Sequence, residues 1–303
     1  MNLTTDLKNL LARKMKMQDQ PATITIHFPD SSTFSGNVFV KARGVTRKET
    51  CTMPPLMVGF KSSASPLSSL NKLKLVCGCS ASSNDEQMVL KEYLVYKIYN
   101  LLTDMSFRVR LVNITYKDSR GKRKTFSQYG FFIEDVDVMA KRNSCREVNK
   151  IAFNQTETNP EQMSLVDIFQ FMVGNTDWSV PNYHNIKLIR KRNAEDAPPY
   201  VVPYDFDYCG LVNAYYAVPS ELVNIKKVTE REYRGFPRSM QELQQAISIF
   251  IKQKENIFKL ITDFEPIAEK YKRELTDYLN AFYVIISDNK MVQREFIDNA
   301  RKN

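Results

Sequence analysis

The chain has 303 residues, 43% of them hydrophobic, enough for one large or two modest globular domains. Its formal net charge of +9, from 43 basic against 34 acidic residues, suits an anionic partner such as a nucleotide, a phosphorylated glycan, a nucleic acid or an acidic protein. No apolar run reaches the length that spans a bilayer, no lipidation signal marks the termini, and no long Lys/Arg run marks a dedicated patch; neither a membrane span nor a nucleic-acid partner is expected.

Residues 1–20 are charged, with Leu3, Leu7, Leu10, Leu11 and Met15 on one face, which predicts an N-terminal surface helix rather than a signal peptide. Alternating apolar positions predict strands over 23–28 (Ile24, Ile26, Phe28), 34–43 (Val38, Val40) and 56–60. Residues 62–69 are polar and contain Pro66, the composition of a mobile loop. A strand follows over 73–77. Residues 85–102 predict an amphipathic helix, with Met88, Leu90, Tyr93, Leu94, Ile98 and Leu101 at helical spacing. Phe107, Val109 and Leu111 begin a strand that runs through Tyr116 to a basic turn at 119–124, and 129–134 return as the second arm of a hairpin.

The character changes near residue 137. Residues 164–173 predict a compact apolar helix, 186–189 a short strand, and 239–261 and 267–286 long amphipathic helices. A strand-rich half, 1–136, followed by a helix-rich half, 137–303, indicates an α+β protein of two lobes. The five cysteines, Cys51, Cys77, Cys79, Cys145 and Cys209, cannot all pair with one another. The close pair Cys77 and Cys79 lacks the second cluster a zinc site needs, so core or strand thiols are expected.

The chemistry concentrates after the compact helix. Gly174-Asn175-Thr176-Asp177-Trp178-Ser179-Val180-Pro181-Asn182-Tyr183-His184-Asn185 holds the only Trp and one of the two His, and Pro203-Tyr204-Asp205-Phe206-Asp207 ends the next strand in two carboxylates. An Asp, a later Asn, then an Asp at a strand end is how phosphotransferases hold a base and Mg²⁺ around a nucleotide. Asp177 is the candidate proton acceptor, and Asp205 with an asparagine the candidate metal ligands. Asn182 stands five residues after Asp177, the catalytic-loop spacing of protein kinases, whereas Asn185 directly precedes a strand that would hold it more rigidly. Both stay open, with Asn185 favoured, and Asp207 rivals Asp205.

The phosphate-holding cation is expected on a strand of the first half, steadied by a helix carboxylate. Lys74 and Glu92 match that order, with Lys72, Lys61 and Arg43 as competitors. No G-x-G-x-x-G or G-x-x-x-x-G-K-[ST] occurs, which excludes a typical protein kinase or P-loop enzyme and leaves an atypical one. Taken singly, these residues are as well explained as an Asx-rich turn, a surface ion pair and packing aromatics. Their joint order along one chain carries the case.

At these residues the chain resembles the CotH-type kinases, an atypical family named for a bacterial spore-coat protein. The resemblance rests on Asn175-Thr176-Asp177, on His184-Asn185 running into a strand, and on Pro203-Tyr204-Asp205-Phe206-Asp207, where the family often has Trp in place of Tyr204. Lys41-Ala42-Arg43-Gly44 resembles its early Arg-Gly strand end, and Tyr129-Gly130-Phe131-Phe132-Ile133-Glu134 its hairpin ending in Glu. The resemblance implies a two-lobed atypical protein-kinase-like fold, with a strand-rich nucleotide-binding N-lobe and a helical C-lobe holding the catalytic loop and metal site. It also implies ATP with Mg²⁺ or Mn²⁺, and phosphorylation of a hydroxyl on a protein or glycan. By position it implies Asp177 as the catalytic Asp, Asn185 and Asp205 as metal ligands, and Glu134 as a first-lobe site residue. Cys51-Thr52-Met53-Pro54-Pro55 stands where the family has a Lys-rich strand, and residues 62–69 are insertion-like. Many members are exported or coat-associated, so a bacterial exported or cell-surface protein is expected if a signal peptide was removed, and a cytoplasmic one otherwise. The alternative is a non-catalytic pseudokinase or binding module that docks an anionic partner on its basic surface. A phosphohydrolase or nuclease would need more carboxylates or histidines around its metal than this stretch supplies.

Overall fold

A computed structural model describes residues 1–60, 67, 70–149 and 153–302. The chain divides into two compact units. Met1–Tyr93 with Val109–Asp135 form the first, and Leu94–Arg108 with Val136–Asn303 the second. The predicted loop 62–69, apart from Leu67, and Lys61 lie outside the described residues.

The first unit is a closed seven-stranded barrel in the order β1-β2-β3-β4-β5-β7-β6. Its strands are β1 (Asn2–Thr5), β2 (Gln20–His27), β3 (Thr33–Ala42), β4 (Leu56–Gly59), β5 (Lys72–Val76), β6 (Val109–Asp118) and β7 (Phe126–Ile133). Neighbours pair antiparallel except β1 with β6, which run parallel with Leu3 opposite Tyr116 and close the ring. Register and burial agree. Ile24 faces Gly36, Val40 faces Val58 and Leu75 faces Phe132, so one side of every strand fills the interior with Leu3, Ile24, Val38, Val58, Leu75 and Ile114. Gly130 belongs to this inner face, where an added Cβ would come within 2.8 Å of Ile114 Cδ1 and 2.6 Å of the Val76 carbonyl.

This closure overturns the expected two-lobed atypical protein-kinase-like fold, whose first lobe is an open sheet; the protein is α+β, but with a closed mixed barrel. The error began at the N-terminus. The segment expected to form one surface helix is β1 followed by a short helix α1 (Leu7–Ala12), capped by Asp6, whose side chain accepts the Asn9 amide at 2.9 Å. Leu3 is fully buried as a strand residue, and pairing satisfies a strand edge that an open sheet would expose.

Two further helices belong to this region: α2 (Thr46–Thr50), and α3 (Ser83–Leu102), through which the boundary between the units runs. Cys51 and Cys79 form a disulfide with a Cα–Cα distance of 4.6 Å, against the expectation of thiols, while Cys77, Cys145 and Cys209 are buried thiols as expected.

The second unit comprises α4 (Val136–Arg142), β8 (Cys145–Glu147), α5 (Pro160–Val173), β9 (Ile186–Lys191), β10 (Tyr200–Pro203), α6 (Met240–Thr262), α7 (Glu269–Ile286) and α8 (Asn289–Gln293). The strands form an antiparallel sheet in the order β10-β9-β8. α5 is buried on every side from Gln162 to Val173, as an apolar helix without a polar face must be, and packs against β10, α6 and α7. α6 starts in a capping box, Ser239 and Glu242 each bonding the other's backbone N–H. No helix among the described residues is long and apolar enough to cross a membrane.

Candidate functional site

α5 ends where the polar stretch begins. Gly174 has φ +65°, its N–H donates to the Phe171 carbonyl at 3.1 Å, and the Asn175 N–H donates to the Gln170 carbonyl at 2.8 Å. That pair of bonds is a Schellman stop, which needs a residue without Cβ strain at its left-handed position. The chain turns out of the helix with Asn175 1% exposed. The Asn175 amide group donates to Gln170 Oε1 at 3.0 Å and its oxygen accepts the Asp177 N–H at 3.0 Å, so one buried side chain aims Asp177. Beyond it, Ser179 and His184 exchange two backbone bonds of 3.0 Å, folding residues 179–184 into a small loop.

The loop returns His184 and Asn185 to Asp177. His184 Nε2 lies 2.8 Å from Asp177 Oδ1, and Asn185 Nδ2 donates to Asp177 Oδ2 at 2.9 Å and to the Asp177 carbonyl at 2.8 Å. Since both bonds of that amide go to acceptors, its nitrogen faces Asp177 and its oxygen faces away. Each carboxylate oxygen of Asp177 accepts one bond and keeps capacity for another. Asp177 and His184 side chains are 35% and 53% exposed, so the pair is reachable from solvent.

Asp205 reaches the same place through the sheet. Pro203 pairs with Ile186, and the Tyr204 N–H donates to the Asn185 carbonyl at 3.0 Å, which sets Asp205 one residue beyond Asn185 on the neighbouring chain. Asn185 and Asp205 both have positive φ, 52° and 64°, the left-handed region that Asn and Asp enter more readily than other side-chain-bearing residues. Asp205 is held there by the Tyr96 hydroxyl, which accepts its N–H at 2.8 Å. Its carboxylate makes no hydrogen bond or ion pair among the described residues. Phe206 beneath it is fully buried, edge-on to Tyr96 and Phe169. Gly210 and Leu211 donate backbone bonds to the Gly174 and Val173 carbonyls at 2.9 and 3.0 Å, tying this segment to the end of α5.

The two rivals are placed differently. Asn182 is exposed on the small loop, three residues from the anchored Asn185. Asp207 is 5% exposed and accepts a bond from the Tyr216 hydroxyl at 3.0 Å.

Sequence reasoning passed over Arg234. Its guanidinium donates to the Thr176 carbonyl and sits 5.8 Å from the ring centroid of the buried Trp178. Burial lowers its pKa and neighbouring Arg301 adds to that, while Glu232 and Asp177 oppose the shift. No periodic pattern surrounds residues 218–238, so nothing local marks Arg234 as part of this loop. Tyr96 falls inside the predicted helix 85–102 with no mark of its own, and Asn175 enters the sequence pattern only as part of a motif.

The first-unit candidates lie on a barrel strand, just past strand ends and on α3. Lys74 is half-buried on β5 opposite Met57 and Ile133, on the outer face, since Leu73 and Leu75 point inward. Glu92 is 2% exposed on α3, next to Tyr93, which packs against the outward Phe131 at 5.9 Å. Glu134 directly follows β7, and Arg43 directly follows β3, where its N–H bonds the Pro55 carbonyl at 2.8 Å. No protein-family model matches this chain, and no curated protein matches it.

Proposed function

We propose that the second unit carries out metal-assisted phosphoryl transfer from ATP to a hydroxyl of a protein or glycan, with Asp177, Asn185 and Asp205 as the working residues. One observation carries the reading. Two side-chain-bearing residues in left-handed conformations stand at adjoining strand ends, one pinned to Asp177 and the other presenting a carboxylate that no group among the described residues occupies. The resemblance of these segments to CotH-type kinases supports it.

The donors fit Mg²⁺ or Mn²⁺. The outward amide oxygen of Asn185 and the carboxylate of Asp205 are hard oxygen ligands, and Mg²⁺ is commonly held by one or two carboxylates with phosphates and water completing its shell. Among the described residues no group of three His, Cys, Asp or Glu gathers as a metal cage, which also suits a cation shared with phosphate. When bound, such a cation neutralises charge on the transferring phosphoryl group. Asp177, braced by Asn185 and His184, orients the acceptor hydroxyl and takes its proton. Arg234 and Asn175 hold the carbonyl and the N–H of the single peptide unit between Thr176 and Asp177, so that the Asp177 carboxylate stays aimed. The Cys51–Cys79 disulfide supports an oxidising compartment for the protein.

Purified protein should gain thermal stability from ATP with MnCl₂ and transfer the γ-phosphoryl group to itself or to an added acceptor. Asp205→Asn should abolish the metal-dependent stabilisation. Asp177→Asn should retain it and lose transfer by roughly a hundredfold or more. Absence of both stabilisation and transfer in the unmodified protein rejects the reading; stabilisation without transfer supports a non-catalytic nucleotide-binding module instead.

A further inference from the structure

The barrel of the first unit has two chemically different ends. Its inner register along β6 is Arg110, Val112, Ile114, Tyr116 and Asp118, continuing the alternation that buries Ile114 and Tyr116. Arg110 and Asp118 are the charged residues of the barrel's inner register among the described strands, one at each end. Asp118 is saturated, accepting backbone N–H groups from Leu7, Lys122 and Arg123 at 2.9, 2.6 and 3.1 Å. The exposed Arg110 makes no hydrogen bond or ion pair among the described residues.

At the Arg110 end the barrel opens into a cavity of about 420 Å³. Ile26, Leu73 and Val112 line it from the inner register, with Phe60, Leu70 and Phe132 around them. That volume falls in the range of ligand pockets, roughly 300–1,000 Å³, and a barrel mouth is one of the places where such pockets recur. An apolar chamber with the Arg110 guanidinium at its rim, unpaired among the described residues, selects a ligand with an apolar body and a single anionic head, since the planar fork of Arg matches a carboxylate through two parallel hydrogen bonds.

We propose that this barrel mouth binds a medium-chain alkyl carboxylate, its chain among Ile26, Leu73 and Val112 and its carboxylate on Arg110. The site lies wholly in the first unit and does not depend on phosphoryl transfer. Isothermal titration calorimetry of the full chain with decanoate, octanoate and decanol, below the concentrations at which they self-associate, tests it. Decanoate should bind saturably at one site, and octanoate, two methylenes shorter, roughly tenfold more weakly. Arg110→Gln should weaken decanoate by roughly tenfold while leaving decanol unchanged. Leu73→Trp, which fills the chamber, should weaken both. Non-saturable decanoate binding, no dependence on chain length, or equal decanoate affinity in Arg110→Gln overturns the proposal. Arg110 is exposed, so that variant decides the matter even if Leu73→Trp fails to fold.

Discussion

At Gly174 a single missing side chain decides how the site loop leaves its helix. The residue has φ +65°, and a Cβ built there would lie 2.1 Å from the Tyr278 hydroxyl of α7 and 3.4 Å from Gly210 Cα. Gly174→Ala therefore combines left-handed strain with a clash against packed groups and should cost about 2–4 kcal/mol. The midpoint of urea unfolding, followed by fluorescence of Trp178, buried in the same unit, measures it; an unchanged midpoint contradicts the packing. The glycine was readable as a helix stop, because it follows directly on an apolar run. The polar order Asp177, Asn185, Asp205 was readable too, since such residues interrupt an apolar pattern. What they do to one another was not. That Asn185 turns its amide onto Asp177 depends on how the loop between them folds back, and that Tyr96 fixes the Asp205 backbone is a contact between residues far apart in the chain.

Among the elements, the connection between β3 and β4 is the best example of structure without a local signal. It contains α2 and Cys51, and is fastened to the segment after β5 by the Cys51–Cys79 disulfide, by the Met53 N–H on the Cys79 carbonyl at 2.8 Å, and by buried Arg47 on the Cys77 carbonyl. With the cysteines at a sequence separation of 28, the cross-link should be worth about 3–4 kcal/mol by chain entropy. Dithiothreitol should lower the denaturant midpoint measured by far-ultraviolet circular dichroism. Cys51→Ser should show the same loss and no further response to the reductant. Long elements were readable: alternation marked β2 and β3, and three-to-four spacing marked α3, α6 and α7. The four-residue β1 was not, because Leu3, Leu7 and Leu10 fit a helical stripe as well as a strand followed by a short helix.

For the molecule as a whole, Asp167 couples stability to pH. This α5 residue is 1% exposed and accepts a bond from Gln155 at 2.7 Å. Burial raises its pKa to about 8, against the opposing influence of Arg238, Gln155 and Arg301. In the unfolded chain an Asp ionises near pH 4. Between about pH 4 and 8 the native state therefore binds more protons than the unfolded state, and this group's contribution falls as pH rises; it is complete below about 4 and falls no further above about 8. Asp167→Asn keeps the acceptor for Gln155 and removes the ionisation. The variant's stability relative to the parent should rise steadily across that window, read from urea midpoints by Trp178 fluorescence. A constant difference rejects the shifted titration.

The amino-acid sequence by itself determined which faces are apolar, where the long strands and helices run, and which polar residues stand at the ends of α5, β9 and β10. Those features follow from side-chain periodicity and turn chemistry, which act over a few residues. Only the tertiary structure decided that the first seven strands close into a barrel, that Cys51 meets Cys79, that Arg234 braces the Asp177 loop, and that Asp167 is buried among distant groups. A periodic pattern states which face of an element is covered but not by what. Partner and register are chosen by packing and hydrogen bonding between segments that the sequence separates.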